Sequence, residues 1–347
     1  MKPPLTRDVE RLGPERWPEY APSERGGSLS GARDDAVHRR VSSLLDVSAR
    51  FGTGIPVRDL ASLLPPEGPP DAASLERWLA VRPSLARLDG ERAFAPHSDA
   101  PELQDRLARG RAYRSIAERV LANELAGIGP WIRCAAITGS AAYAAPEAGD
   151  DLDFFLVTRT GTMWLCLLRA TLAVRLRYRP TDSDERPRPC FNFVLDETTA
   201  PLEFRSRRGF LFAREALTAQ VLRGDDYYRS LLAAAPWLGE EIPRLYPDRS
   251  MGEPPATPAP VPWPARLLNS ILFPPLAVYL HLVGMYRNAR ERRAGYPERG
   301  FRTVVNFRRL ATPTDRFDEL SRAADRASVR GPSPAPQPVR VESVRDR

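Results

Sequence analysis

Lysine is almost missing from this chain: Lys2 is the only one among 347 residues. A phosphate-binding P-loop carries a lysine inside its glycine-rich turn, and Schiff-base catalysis needs a buried one. Both are excluded. The positive charge is arginine, and 51 basic against 44 acidic residues leave a formal net charge of +7. Histidine is nearly as scarce. His38, His97 and His281 stand beside no nucleophile and at no metal-ligand spacing, which leaves histidine catalysis without a basis. Cysteine is limited to Cys134, Cys166 and Cys190, an odd number set far apart in apolar runs. That pattern speaks against a disulfide framework or a Cys-rich zinc site. No apolar signal core lies between Met1 and Pro14, so the expectation is a soluble, cytoplasmic protein.

Proline is in excess instead, with 36 residues that cluster and so mark linkers and tails. Residues 1–34 read as a disordered leader. Over 35–98, Val37, Val41, Leu44 and Leu45 follow helical spacing, Pro56 opens a second helix, and Asp71 can cap a third. Asp89-Gly90 then signals a hairpin. Three helices and a hairpin predict a winged helix-turn-helix packed as a unit of its own. Arg77, Arg82, Arg87 and Arg92 offer it weak phosphate contact with DNA, while its third helix lacks Asn, Gln or Lys for base readout. Packing against the next domain or a partner protein is the plainer role.

Residues 99–130 read as a connecting helix, 131–250 as a mixed α/β domain with a helical extension, and 251–264 as a Pro-rich linker. For 265–330 a C-terminal helical segment is expected, and for 331–347 a disordered tail. Leu267 to Tyr286 is strongly apolar, but Asn269, Ser270, Pro274-Pro275 and His281 interrupt it. A packed helix from Leu276 onward fits better than a membrane span, which wants about 20 unbroken apolar residues.

The chemistry concentrates near residue 140. A strand-like run, Ile132 to Ile137, leads into Thr138-Gly139-Ser140 and then small helix formers. Such a turn brings backbone N–H groups to a helix start, where phosphate binds well. Ten residues further on, Asp151-Leu-Asp153 opens the apolar run Phe154 to Val157. Aspartate is disfavoured in strands. By period 2, Asp151 and Asp153 share a face while Leu152, Phe154 and Leu156 point to the core. Two carboxylates about 6.6 Å apart repel by about 2.5 kcal/mol at an effective dielectric of 20. A divalent cation between them removes that penalty. Asp150 reads only as a solvated strand start.

Gly139-Ser140, ten residues, then Asp151-Leu-Asp153 resembles the signature of the DNA polymerase beta-type nucleotidyltransferase superfamily, in particular small bacterial members carrying a winged helix in front. The resemblance implies an α/β (α+β) fold, a small mixed sheet flanked by helices, with a helical region after it. It further implies Mg²⁺ held by Asp151 and Asp153, and a nucleoside triphosphate, ATP first, held by Gly139 and Ser140. The implied reaction is in-line transfer of a nucleoside monophosphate to a hydroxyl of a protein or small molecule. A degenerate nucleotide-binding or DNA- or protein-binding module without catalysis is the alternative.

One feature of the family is missing. Its third carboxylate belongs on the strand Cys190-Phe-Asn-Phe-Val-Leu-Asp196, where Asn192 holds the central position. Asp196 at the strand end, or Glu203 at the start of a following short strand, are the substitutes; Asp196 also suits the turn Asp-Glu-Thr-Thr. Arg169, on the helix Met163 to Tyr178, either pairs with a structural carboxylate or reaches the triphosphate. Glu215 reads as a helix-surface or packing residue.

Overall fold

The computed structural model describes residues 29–50, 52–98, 103–143, 146–177, 187–295, 302–312 and 321. The expected tail, and the expected leader up to residue 28, lie outside the described residues.

The N-terminal unit comprises α1 (Leu29–Arg50), β1 (Ile55–Pro56), α2 (Val57–Ser62), α3 (Ala72–Ala80), β2 (Arg87–Asp89) and β3 (Arg92–Phe94). α1 begins inside the stretch read as leader. Its Val37, Val41, Leu44 and Leu45 are all buried, as their spacing on one face requires. Asp71 caps α3, its Oδ1 accepting from the Ser74 N–H at 2.7 Å. Gly90 takes φ 55° at the hairpin tip, and β2 and β3 pair with Asp89 opposite Arg92. β1 joins the far side of β3, giving the order β1-β3-β2.

The arginines expected to face DNA are largely engaged within the protein. Arg82 pairs with Asp34 at 3.0 Å and lies over the Trp78 ring. Arg92 turns inward and donates to the Gly54 carbonyl at 2.6 Å. Arg87 lies over Phe94 and reaches the Ser98 carbonyl.

α4 (Leu103–Arg119) follows, ending in a π-helical turn over Val120–Glu124 and a 3-10 turn over Ala126–Trp131. Then come β4 (Ile132–Ile137), α5 (Gly139–Ala142), β5 (Leu152–Thr158), α6 (Met163–Arg177), β6 (Pro189–Asp196), α7 (Ala200–Arg205), α8 (Gly209–Thr218) and β7 (Gln220–Arg223). α9 (Asp225–Ala233), α10 (Trp237–Glu241), α11 (Tyr246–Ser250), α12 (Trp263–Arg293), β8 (Val304–Asn306) and β9 (Arg309–Ala311) complete the described chain. The result is an α+β protein around a mixed six-stranded sheet of order β7-β4-β5-β6-β9-β8. Among the described residues only β5 and β6 run parallel.

Both faces of that sheet are covered. Leu152, Phe154 and Leu156 join a core under α6 and α12, while Phe155 and Val157 join a second core with α7 to α10. Burial on both sides explains why β5 reads as a nearly unbroken apolar run. The second core is continuous with that of the N-terminal unit, from Val37 to Ile242. The three-helix unit is therefore docked on the sheet and shares its core, contrary to the expectation of a unit packed by itself. Arg244 fastens the junction, donating to the carbonyls of Ala61, Pro66, Gly68 and Pro69 at 2.5–3.1 Å.

Two expectations for the C-terminal part need correction. The helix starts at Trp263 and continues through Pro274-Pro275. Asn269, fully buried inside it, accepts from the Trp164 N–H at 2.7 Å and so caps α6. This tertiary bond and the packing of Leu272, Phe273 and Leu276 on the core outweigh the two backbone bonds the prolines cannot make. Beyond it the chain is not all helical: β8 and β9 extend the main sheet, with Leu310 opposite Val194. By length and composition α12 would suffice to cross a membrane, and its outer face leaves Leu267, Ile271, Val278, Leu282 and Met285 exposed. The Pro-rich stretch before it is tacked down, with Arg159 donating to the Ala259 carbonyl at 2.7 Å.

Candidate functional site

The β4–α5 turn is closed by glycine. Gly139 takes φ 67°, and a Cβ there would stand 2.8 Å from Asp153 Oδ2. No other residue meets both conditions. The expected glycine turn and the second aspartate of the expected pair are therefore in direct contact. The Thr138 N–H donates to the Asp153 carbonyl at 3.0 Å, fixing the turn to the start of β5.

Asp151 is exposed and precedes β5, and Asp153 is half-buried at its second position. Burial pushes the Asp153 carboxyl up to about 7, and the charges of Asp151, Asp150 and Glu215 push in the same direction. The Asp151 carboxyl is raised as well, because surrounding protein shields the acid group from part of the solvent even though the residue reaches the surface, against the opposing pull of Arg287 and Arg188.

Asp150 is more than a strand start. It takes the Ser140 hydroxyl on Oδ2 at 2.9 Å and the Glu147 N–H on the same oxygen at 2.9 Å. The Ser140 hydroxyl is thus engaged by a carboxylate. α4 holds this loop from outside: Arg106 pairs with Glu147, Arg109 donates to the Pro146 carbonyl, and the Tyr113 hydroxyl to the Asp150 carbonyl at 2.9 Å.

Asn192 meets Asp153 of the pair, as its strand position suggests, its Nδ2 donating to Asp153 Oδ1 at 2.5 Å. A bulge brings it there, since Asp153 opposes Cys190 while Phe155 opposes Phe193. Three residues of β6 span two of β5. Asn192 is held in turn by the Thr312 hydroxyl, at 3.2 Å from its Oδ1.

Neither proposed substitute for the missing acid lies here. Asp196 is buried at the opposite end of β6, accepting from Gly161 N, Thr198 N and the Thr198 hydroxyl. It belongs to the turn. Glu203 is on α7 rather than on a strand and pairs with Arg208 and Arg309. The run Thr199-Ala-Pro-Leu places proline in the first turn of a helix, where its missing N–H costs nothing. Arg169 is exposed on α6 and forms no ion pair among the described residues.

Glu215 is the site neighbour that its sequence context hides. From α8 it accepts the Gly139 N–H on Oε2 at 3.4 Å and the Tyr143 hydroxyl on Oε1 at 2.5 Å. Burial raises its carboxyl, while Tyr143, Arg214 and Gly139 pull it down. The available signal is its setting among Phe210, Leu211, Ala213, Ala216 and Leu217, all buried.

Among the described residues no three His, Cys, Asp or Glu side chains form a ready-made metal cage. Mg²⁺ asks less of a protein, commonly one or two carboxylates with waters and substrate phosphates. Asp151 and Asp153 fit that requirement. Burial first, and the neighbouring negative charges after it, lift Asp153 to about 7, and a bound cation would relieve the second of these. Compared with protein-family models, curated proteins and solved structures, the chain finds no match.

Proposed function

We propose that the chain is a magnesium-dependent nucleotidyltransferase of the polymerase beta type, with an N-terminal winged helix. It moves a nucleoside monophosphate from a triphosphate, ATP first, to a hydroxyl of a protein or small molecule. The observation that carries this reading is the contact of Asp153 Oδ2 with the space above Gly139, beside Asp151. One glycine turn and one pair of crowded carboxylates meet at the same place.

In this reading Asp151 and Asp153 hold Mg²⁺, which when bound supplies charge neutralisation for the attacking and leaving oxygens. Gly139 lets the backbone approach the triphosphate. The acceptor hydroxyl oxygen forms a bond to the α-phosphorus, the bond from that phosphorus to the bridging oxygen of the β-phosphate breaks, and pyrophosphate leaves. With an amide at position 192, the hydroxyl proton goes to solvent. Asn192 keeps one oxygen of Asp153 fixed, so that Oδ2 alone faces Gly139.

The bond from Asn192 also favours a second reading, a nucleotide-binding module without catalysis, since an amide replaces the acid a working family member places there. Incubation with each of the four triphosphates, labelled at the α-phosphorus, separates the two. Label appearing on protein or metabolite in the presence of Mg²⁺ supports the transferase; nucleotide retained unchanged supports the module.

A further inference from the structure

The docked N-terminal unit does not fill the whole junction with the sheet domain. Between them lies a cavity of about 600 Å³, within the range that accommodates small organic ligands. Its wall includes apolar Leu63 and Leu217 and four arginines: Arg92 of β3, Arg114 of α4, Arg214 of α8 and Arg249 of α11. Asp151 and Asp153 do not line it. Two acids do: Asp59, whose charge acts on Arg92 and which stands 3.5 Å from Arg58, and Asp225, which pairs with Arg229 at 2.6 Å.

The arginines are incompletely satisfied. The Nε atoms of Arg92, Arg214 and Arg249 are buried with no hydrogen-bond partner among the described residues. Buried donors are nearly always paired, but Arg40, Arg133 and Arg309 carry such nitrogens elsewhere too, so what sets this place apart is the gathering of four guanidinium groups around one cavity. Arg214 is the clearest case. It is 4% exposed, its charge lies 4.5 Å above the Tyr143 ring, and no carboxylate forms an ion pair with it among the described residues.

We infer that this cavity is a second binding site, for a small molecule carrying two or more phosphate-type charges on an organic body. Guanidinium groups bind phosphate oxygens in paired hydrogen bonds, and Leu63 and Leu217 offer contact to the remainder. The site is wired to the β4–α5 turn. Arg214 stacks on Tyr143, Tyr143 donates to Glu215, and Glu215 accepts from Gly139. A ligand that draws Arg214 toward itself therefore shifts the residues that hold the turn; this coupling, unlike the binding itself, rests on the function proposed above.

Titration calorimetry of the full chain with inorganic pyrophosphate, in EDTA, tests the inference. Saturable binding near one-to-one is expected, weakened at least tenfold in Arg92→Gln/Arg249→Gln and in Thr218→Trp, which fills the cavity and keeps every arginine. If the double variant fails to fold by circular dichroism, Thr218→Trp decides. Absence of saturable binding overturns the inference, as does binding that Thr218→Trp leaves intact. Binding kept at full strength in the folded arginine double variant also overturns it, since the anion then sits elsewhere. Pyrophosphate binding with the expected variant pattern, in a protein that transfers no nucleotide, sustains this site while refuting the transferase.

Discussion

Asn192 donates a hydrogen bond of 2.5 Å to Asp153 across a bulge in the parallel pairing of β5 with β6. An amide is what lets the two groups meet in the absence of a cation. Asn192→Asp puts a second carboxylate against Asp153, and in EDTA at pH 8 we expect a loss on the order of 1–3 kcal/mol from the repulsion and the lost bond. Mg²⁺ restores that stability and raises turnover. Thermal melts with and without Mg²⁺ check it; a variant that melts like the parent in both conditions contradicts the account.

The raised Asp153 carboxyl gives a pH dependence with a definite sign. Its ordinary value is 3.8 and its folded value about 7. Protonation is thus favoured by folding, so this group's contribution to stability is fully present below about 4 and is lost as pH rises through about 7. In EDTA, Asp153→Asn is expected to exceed the parent by about 1–2 kcal/mol at pH 8. The gap closes as pH falls from 7 toward 4. Denaturant unfolding across that range measures it, and a gap that widens toward acid is the contrary result.

Much of this site is legible in the residue order. Gly139-Ser140 after an apolar strand, and Asp151-Leu-Asp153 opening another, are local signals, and so is the Asp89-Gly90 hairpin. What escapes is non-local. Glu215 looks like any acid on a helix until α8 packs beside the β4–α5 turn. The meeting of Asn192 with Asp153 follows from its place on β6, but the bulge that delivers it is in no period-2 pattern. β8 and β9 are three residues each, too short to show alternation, and they exist because β6 has a free edge to pair with. Pro274-Pro275 reads as a helix break because propensity is local, whereas the Asn269 cap on α6 and the contacts of Phe273 with Trp164 are tertiary. Glu203 shows the reverse failure: the local helix signal in Thr199-Ala-Pro is present and the strand expectation overlooks it.

Arg244 joins the N-terminal unit to the sheet domain through four carbonyls. Arg244→Met removes every one of those bonds while keeping an aliphatic stem. The expected loss is about 2–3 kcal/mol, the scale for charge-assisted bonds whose freed carbonyls partly recover water. Limited proteolysis should then cut sooner between residues 62 and 72. Unchanged melting and digestion in the variant would mean that the shared core alone holds the unit in place.

The central claim is that Asp151 and Asp153 serve one metal-dependent transfer at the Gly139 turn. Release of pyrophosphate from ATP, followed with and without Mg²⁺ in the parent, Asp151→Asn and Asp153→Asn, tests it most directly. The account predicts Mg²⁺-dependent release by the parent, falling at least a hundredfold in each variant while both melt no lower than the parent in EDTA. Release that both variants retain, or that persists in EDTA, would contradict it.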